Sequence, residues 1–182
     1  MQTWEYAQAY AIRTFAFVYP FYSLGALLAT VKLSKASIFL CVKIALSSLA
    51  TISNYYFLLS SKKPKQQRTE SILMMISSPG IILCSSSFLP SSLCSSLVSL
   101  SFGSWIVGNY NWSIFLGALA VIWSGWPFIG VIFVPVGIFM LIDSTLKNGI
   151  IGVIRLIATG LAIVLSVSIV CFYIDFCFYN TW

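Results

Sequence analysis

The residues best suited to chemistry lie in the first thirteen positions of the chain. Glu5 stands between two aromatic residues, Trp4 and Tyr6, and Arg13 follows a few positions later. Nearly everything after Arg13 is apolar. A charged, aromatic-rich head that leads into apolar sequence is typical of a water-facing site held at a membrane surface, where tryptophan and tyrosine rings prefer to sit.

The composition of the chain excludes a soluble globular domain. Of its 182 residues, 59% are hydrophobic and 8% are charged, whereas soluble domains carry about 25% charged residues. The net charge of +6 comes mostly from basic residues between apolar runs, so it indicates membrane topology rather than nucleic-acid binding. We therefore predict an integral membrane protein in contact with membrane lipid and without a nucleic-acid partner.

Several kinds of catalysis lack their usual residues in this sequence. The chain has no histidine, which removes the commonest general base and metal ligand. Its five cysteines include no C-x-x-C pair, and no acidic cluster is present to hold a divalent ion. We predict no metal and no cofactor.

The apolar runs and their interruptions predict a series of membrane crossings. Residues 37–60 form the clearest one, and the basic run at 62–70 after it predicts a cytosolic loop. A weak return follows at 71–87. Later breaks are predicted at Pro90, at the turn 108–111, at the elbow 125–128, and at a cytosolic turn made by Asp143, Lys147 and Asn148. The last crossing is predicted at 149–173.

Residues 10–31 allow two interpretations. The segment is long enough to span a membrane, since about 20 residues suffice. Its aromatic residues, with breaks at Pro20 and Gly25, equally suit one or two short helices lying in the interface. The distribution of basic residues leaves both alternatives open.

A series of short motifs resembles a known family, the dolichyl-phosphate-mannose-dependent α-1,2-mannosyltransferases that build the N-glycan precursor in the endoplasmic reticulum. This is glycosyltransferase family 22, which has the GT-C fold. Each motif alone is weak, but they occur in the family's order along essentially the whole chain. They are Gln2-Thr3-Trp4-Glu5-Tyr6, Tyr10-Ala11-Ile12-Arg13-Thr14-Phe15-Ala16-Phe17, Ser78-Pro79-Gly80, Phe88-Leu89-Pro90-Ser91-Ser92, Gly125-Trp126-Pro127-Phe128 and Ile174-Asp175.

The resemblance implies an all-α fold, a polytopic transmembrane helix bundle that forms the N-terminal part of a GT-C membrane domain. It divides the chain into residues 1–35, a luminal loop with interfacial helices, and residues 36–182, a partial transmembrane bundle with about five crossings. The first luminal loop of GT-C enzymes holds membrane-parallel helices, which favours the interfacial alternative for residues 10–31. The implied location is the endoplasmic reticulum membrane.

The reaction that the resemblance implies is mannose transfer from a dolichyl-phosphate mannose donor to a lipid-linked oligosaccharide acceptor. Glu5 would position acceptor hydroxyls, and Arg13 would pair with the donor phosphate, for which bidentate geometry favours arginine. Trp4 and Tyr6 would stack on sugar faces. The alternative is that Glu5 and Arg13 only pair with each other to fix the loop, while the two aromatic rings anchor it at the interface.

Longer members of this family carry their proposed catalytic aspartate in an acidic motif just before the segment that corresponds to residues 4–6. We therefore interpret the chain as an internal fragment or a truncated gene model, without a catalytic residue of its own and inactive by itself. Two other functions stay open. One is the mannosyltransferase of GPI-anchor assembly, and the other is a non-catalytic membrane scaffold or transporter subunit.

Overall fold

The computed structural model gives the fold over residues 14–61, 64–85, 87–124 and 127–180, the side chains of 82–84 excepted. Within these residues the chain forms helices and no strand, which confirms the predicted all-α class. The described part contains α1 (Tyr19–Thr30), α2 (Lys35–Ser60), α3 (Lys65–Ser77), α4 (Pro79–Ser85), α5 (Pro90–Val107), α6 (Tyr110–Ala118) and α7 (Gly130–Asn180). Shorter pieces are 3₁₀-helices at Phe15–Phe17 and Pro127–Ile129 and a π-helix at Leu119–Trp123.

Helix boundaries follow the local chemistry of proline and glycine. Pro90 opens α5, where its missing N–H group would have no helical partner in any case. Gly108 ends α5 with a φ of 90°, a left-handed conformation that suits a residue without a Cβ atom. Ser78 precedes Pro79 and is extended, with a ψ of 108°, so α3 and α4 are separate helices. The breaks predicted at Pro90 and at 108–111 are confirmed.

Helix α7 folds back on itself at Gly149, whose φ of 63° and ψ of −159° lie outside the helical region. A Cβ atom built on Gly152 would lie 3.1 Å from Ser144 Oγ, although a straight helix would separate these two residues by about 12 Å along its axis. The helix is therefore a hairpin, and we call residues 130–148 its first arm and residues 150–180 its second arm.

The turn predicted at Asp143, Lys147 and Asn148 is wrong. All three residues are helical, and Lys147 Nζ lies 2.8 Å from Asp143 Oδ2 across one helical turn. The reversal occurs at Gly149 instead, because glycine adopts a positive φ without a steric clash at Cβ.

Helices α2 and α5 lie side by side and run in the same direction. Ser99 Oγ donates a hydrogen bond to Asn54 Oδ1 at 3.0 Å. Four residues further along α5, a Cβ atom on Gly103 would lie 2.7 Å from the ring of Tyr56. Two helices that run in the same direction require a return of the chain between them, and α3 and α4 together make it.

Helix α6 runs antiparallel to α5, held by contacts between small residues. Ser101 Oγ donates to the carbonyl of Ser113 at 2.7 Å, and Cys94 Sγ donates to the carbonyl of Ala120 at 3.1 Å. The two arms of α7 then cover α6, with one ring of the first arm, Phe133, in contact with α6. Small residues at these contacts let the helix backbones approach closely, as is common in membrane proteins.

These directions give the bundle two ends. The Asp175 end contains Phe15–Phe17, the start of α5 and Asp175. The Asp143 end contains the end of α5, the start of α6, Asp143 and the Gly149 reversal. Between the ends the described chain passes along α2, along α3 with α4, along α5, along α6 and along each arm of α7.

In the part of the chain that the structure describes, two helical stretches are long and apolar enough to cross a membrane, Lys35–Ser60 with 26 residues and Pro127–Asn180 with 54 residues. The second is the hairpin that Gly149 divides. Helix α1 has 12 residues, about 18 Å, which is shorter than the roughly 30 Å of a bilayer core. The number of crossings and the interfacial position of residues 10–31 stay predictions.

Candidate functional site

The four residues predicted to bind substrate lie outside the described residues. They are Trp4, Glu5, Tyr6 and Arg13. The description of the chain begins with Thr14, directly after Arg13. The contacts of Thr14 and the residues that follow show how the chain directly after Arg13 is held in the bundle.

Asp175 binds Thr14, Phe15 and Ala16 through a single carboxylate oxygen, and we call this contact the Asp175 junction. Its Oδ1 atom accepts a hydrogen bond from Thr14 Oγ1 at 3.0 Å, from the Phe15 N–H at 2.7 Å and from the Ala16 N–H at 3.1 Å. Asp175 belongs to the second arm of α7, far from these donors in sequence. The contact therefore brings Thr14–Ala16, which belong to the family-like motif at 10–17, onto the aspartate of the family-like motif at 174–175.

The hydrogen bonds to Asp175 have a local cause in the short helix Phe15–Phe17. The first N–H groups of any helix lack partners within that helix. Thr14 stands at the N-cap, and its Oγ1 accepts from the Ala16 N–H at 3.2 Å. The Asp175 carboxylate adds charge-assisted hydrogen bonds to the same start of the helix, and such bonds are stronger than those between neutral groups.

Two aromatic contacts complete the junction. Trp123 Nε1 donates to the carbonyl of Ala16 at 2.6 Å, so Ala16 is bound through both its N–H and its C=O group. The ring of Phe15 stacks on that of Phe178, with centroids 3.5 Å apart and planes 5° apart. Ala16 is fully buried as a result.

A cluster of phenylalanine rings joins the same end to the start of α5. Phe88 lies 5.6 Å from Phe17 and 4.9 Å from Phe21, measured between ring centroids. Phe17 also packs with Leu93 of α5 in the main apolar core. The segment after Thr14, the segment at Phe88 and the segment at Asp175 all carry family-like motifs, and the fold collects them at one end.

The hydrogen bonds that Asp175 accepts suit a supporting role. Its Oδ1 atom already accepts three hydrogen bonds and is therefore poorly placed to remove a proton from a substrate. Within the residues that the structure describes, no group of three or more histidine, cysteine, aspartate and glutamate side chains could hold a metal ion.

The sequence pattern gives Asp175 only as part of a weak motif and does not link it to Thr14. A signal for its importance exists, because Asp175 is one of only four acidic residues in the chain. An acidic side chain within an apolar run is expected to be paired or to carry a function. Trp123 gives no such signal, since its partner is a main-chain carbonyl 107 positions away.

The Asp143 end has a different character, because it opens into a polar cavity of about 640 Å³. Asp143 pairs with Lys147 and accepts a hydrogen bond from the hydroxyl of Tyr110. Partial burial, together with the Asp143 carboxylate, raises the pKa of Tyr110 to about 12, so the hydroxyl stays protonated and remains the donor. Arg155 also lines this cavity.

In the described residues, the fold and the site define an all-helical protein with long apolar helices. At one end, residues near the start of the described chain bind Asp175 near its end. Residues 1–182 match the model of the Alg9-like mannosyltransferase family, and the chain belongs to that family.

Two curated relatives carry the same assignment. The chain is similar to alpha-1,2-mannosyltransferase algn-9 of Caenorhabditis elegans, with 30% identity over 92% of the chain and 27% of the relative. It is also similar to alpha-1,2-mannosyltransferase ALG9 of Arabidopsis thaliana, with 29% identity over 100% of the chain and 31% of the relative. The chain thus spans less than a third of the length of these relatives. No solved structure matches it significantly.

Proposed function

We propose that the protein to which this chain belongs transfers mannose from dolichyl-phosphate mannose to a lipid-linked oligosaccharide in the lumen of the endoplasmic reticulum. The observation that carries this proposal is the family match over residues 1–182. Two relatives named as alpha-1,2-mannosyltransferases support it. The gathering of three family-like motif segments at the Asp175 end supports it as well, because residues that serve one reaction must lie close together.

In the proposed reaction the acceptor hydroxyl attacks the anomeric carbon while a carboxylate removes its proton, and the dolichyl phosphate leaves. Glu5 positions acceptor hydroxyls, and Arg13 binds the phosphate that becomes more negative as the bond breaks. Trp4 and Tyr6 stack on the sugar. None of these four residues acts as the catalytic base in the proposal.

The proposed protein crosses the membrane several times, with the Asp175 end in the lumen and the Asp143 end in the cytosol. The charge distribution supports this orientation, because cytosolic loops are enriched in lysine and arginine. The run 62–70 contains four basic residues and follows α2 on the side of the bundle where α5 ends. Lys147 lies at the same end.

The proposal is tested in cells that lack the α-1,2-mannosyltransferase of N-glycan precursor assembly and accumulate a shortened lipid-linked oligosaccharide. Expression of the full-length gene is expected to restore the missing mannose residues, measured by chromatography of the released glycans. Glu5→Gln should reduce this extension. Glu70→Gln, which changes an exposed carboxylate in α3, is the matched control and should leave it unchanged.

Three results would contradict the proposal in different ways. No extension of the oligosaccharide by the full-length protein would exclude the proposed acceptor. Extension of the GPI-anchor glycolipid instead would support the alternative mannosyltransferase. Equal activity of the Glu5→Gln and Glu70→Gln proteins would remove Glu5 from the site.

A further inference from the structure

Asp175 and its three donors form an unusually constrained junction. Two consecutive main-chain N–H groups and the Thr14 hydroxyl all point at one oxygen atom, Asp175 Oδ1. Such convergence needs an acceptor with several lone-pair directions and no bulk around it, which a carboxylate oxygen provides. Removing that oxygen would leave the N–H groups of Phe15 and Ala16 without this acceptor in a partly buried place.

The junction is closed on its other side as well. The Trp123 indole binds the carbonyl of Ala16, and Phe17 is only 3% exposed within the apolar core. A shift of residues 14–17 would therefore break contacts to two different parts of the fold at once. Thr14 is therefore held at a fixed point of the bundle.

We propose that Asp175 is a positioning residue for mannosyl transfer, acting by fixing Thr14–Ala16, which directly follow the predicted substrate-binding residue Arg13 in the chain. The inference rests on the transferase function proposed above. Asp175 itself does not touch the substrate in this proposal. Its effect reaches the reaction through geometry, because a displacement of about 1 Å at a binding group costs up to about 10²-fold in rate.

The first experiment measures the opening of the Asp175 junction directly and does not require enzyme activity. Trypsin cuts after arginine, and cutting between Arg13 and Thr14 requires Thr14 and the residues directly after it to leave their hydrogen bonds. Cleavage then follows the population of the open form. In the full-length protein in lipid nanodiscs, Asp175→Leu should be cut after Arg13 at least about 30-fold faster than the wild type. Cleavage within the run 62–70 is the internal control and should be unchanged.

Three further substitutions make the cleavage experiment interpretable. Asp175→Asn retains an oxygen acceptor of the same geometry without the charge, and it should stay closer to the wild type than Asp175→Leu does. Thr14→Val removes, at nearly constant shape, the hydroxyl that donates to Asp175 and accepts from the Ala16 N–H. It should accelerate cleavage after Arg13 to a smaller extent. Asp143→Asn alters the carboxylate at the opposite end and should have no effect on this bond.

The second experiment measures mannose transfer by the same preparations, with kcat and KM determined separately for donor and acceptor. A positioning role predicts that Asp175→Leu lowers kcat by about tenfold or more, that Asp175→Asn restores most of the rate, and that Asp143→Asn keeps the wild-type rate. A loss caused only by unfolded protein would lower the active fraction without changing KM or the rate per folded molecule.

The outcomes separate the two proposals. Unchanged cleavage after Arg13 in both Asp175→Leu and Thr14→Val would overturn the junction itself. Faster cleavage with an unchanged transfer rate would show that Asp175 anchors the chain but does not position it for the reaction. A wild-type protein that transfers no mannose would overturn the proposed function and the positioning role, while the cleavage assay would still decide whether Asp175 holds the junction.

Discussion

The two aspartates of α7 contrast the two ends of the molecule. Asp175 binds main-chain groups that lie about 160 positions away in the sequence. Asp143 binds Lys147 one helical turn away, and Tyr110 33 positions away. One carboxylate thus closes the fold between its two most distant parts, whereas the other lies at the edge of an open cavity.

The partners of the two aspartates also differ in their exposure to solvent. Ala16 has no exposed surface beside Asp175, whereas the side chain of Lys147 beside Asp143 is 67% exposed. An exposed ion pair contributes little to stability because water competes for both charges. The comparison shows that a rare acidic residue in an apolar chain is not informative by itself. The distance in sequence to its partner, and the burial of that partner, decide what it does.

Replacing the two aspartates with leucine should give the largest difference between the ends. Asp175→Leu is expected to lower the free energy of unfolding by about 2–4 kcal/mol, because it leaves the partly buried N–H group of Phe15 without this acceptor and that of Ala16 with Thr14 Oγ1 alone. Asp143→Leu should cause a much smaller change, since Lys147 and Tyr110 can turn to water. Denaturant unfolding of the full-length protein in detergent measures both. Equal losses would remove the contrast between the two ends.

The Asp143 end depends on backbone conformation more than on side-chain partners, and two glycines test this. At neither Gly149 nor Gly108 would a Cβ atom meet another atom within 4 Å, so any cost comes from the main chain. Gly149→Ala should cost about 1–3 kcal/mol, since its φ and ψ lie in a region that is essentially limited to glycine.

The matched substitution Gly108→Ala should cost less, about 1 kcal/mol, because its φ of 90° and ψ of 9° lie near the left-handed helical region that other residues visit. Thermal unfolding of the two variants gives the order. If Gly149→Ala were as stable as the wild type, the hairpin would not turn at this residue.

The smallest expected effect concerns the helices that connect the two ends. Gly103→Ala would place a Cβ atom 2.7 Å from the ring of Tyr56 and should cost about 1 kcal/mol net, because overpacking outweighs the gain in helix propensity. Gly137→Ala meets nothing within 4 Å and should be neutral or stabilising by up to about 1 kcal/mol.

Both variants are measured by unfolding in detergent. Opposite signs would show that α2 and α5 are tightly packed, so that weak packing at the Asp143 end is limited to its turns. The same sign for both would mean that α2 and α5 are loosely packed as well. Either result sharpens the description of how the two ends are connected.

Features with a local cause could be predicted from the sequence. Pro90 starts a helix and Gly108 ends one because the chemistry of these residues acts within a few positions. Asp143, Lys147 and Asn148 were expected in a turn because they are polar, but a pair spaced by four residues equally suits a helix. Asp175 could be singled out as a rare charge, yet nothing in its neighbourhood indicates Thr14 or Trp123, because these partners meet only when the bundle is assembled.

The span of the Asp175 junction has a consequence for biosynthesis. Ribosomes add roughly 5–20 residues per second, so the 160 positions between Phe15 and Asp175 take roughly 8–30 s to make. During that time the N–H groups of Phe15 and Ala16 have no carboxylate to bind. The first segment of the chain is therefore among the last to reach its final place, and nascent chains halted before Asp175 should still be open there.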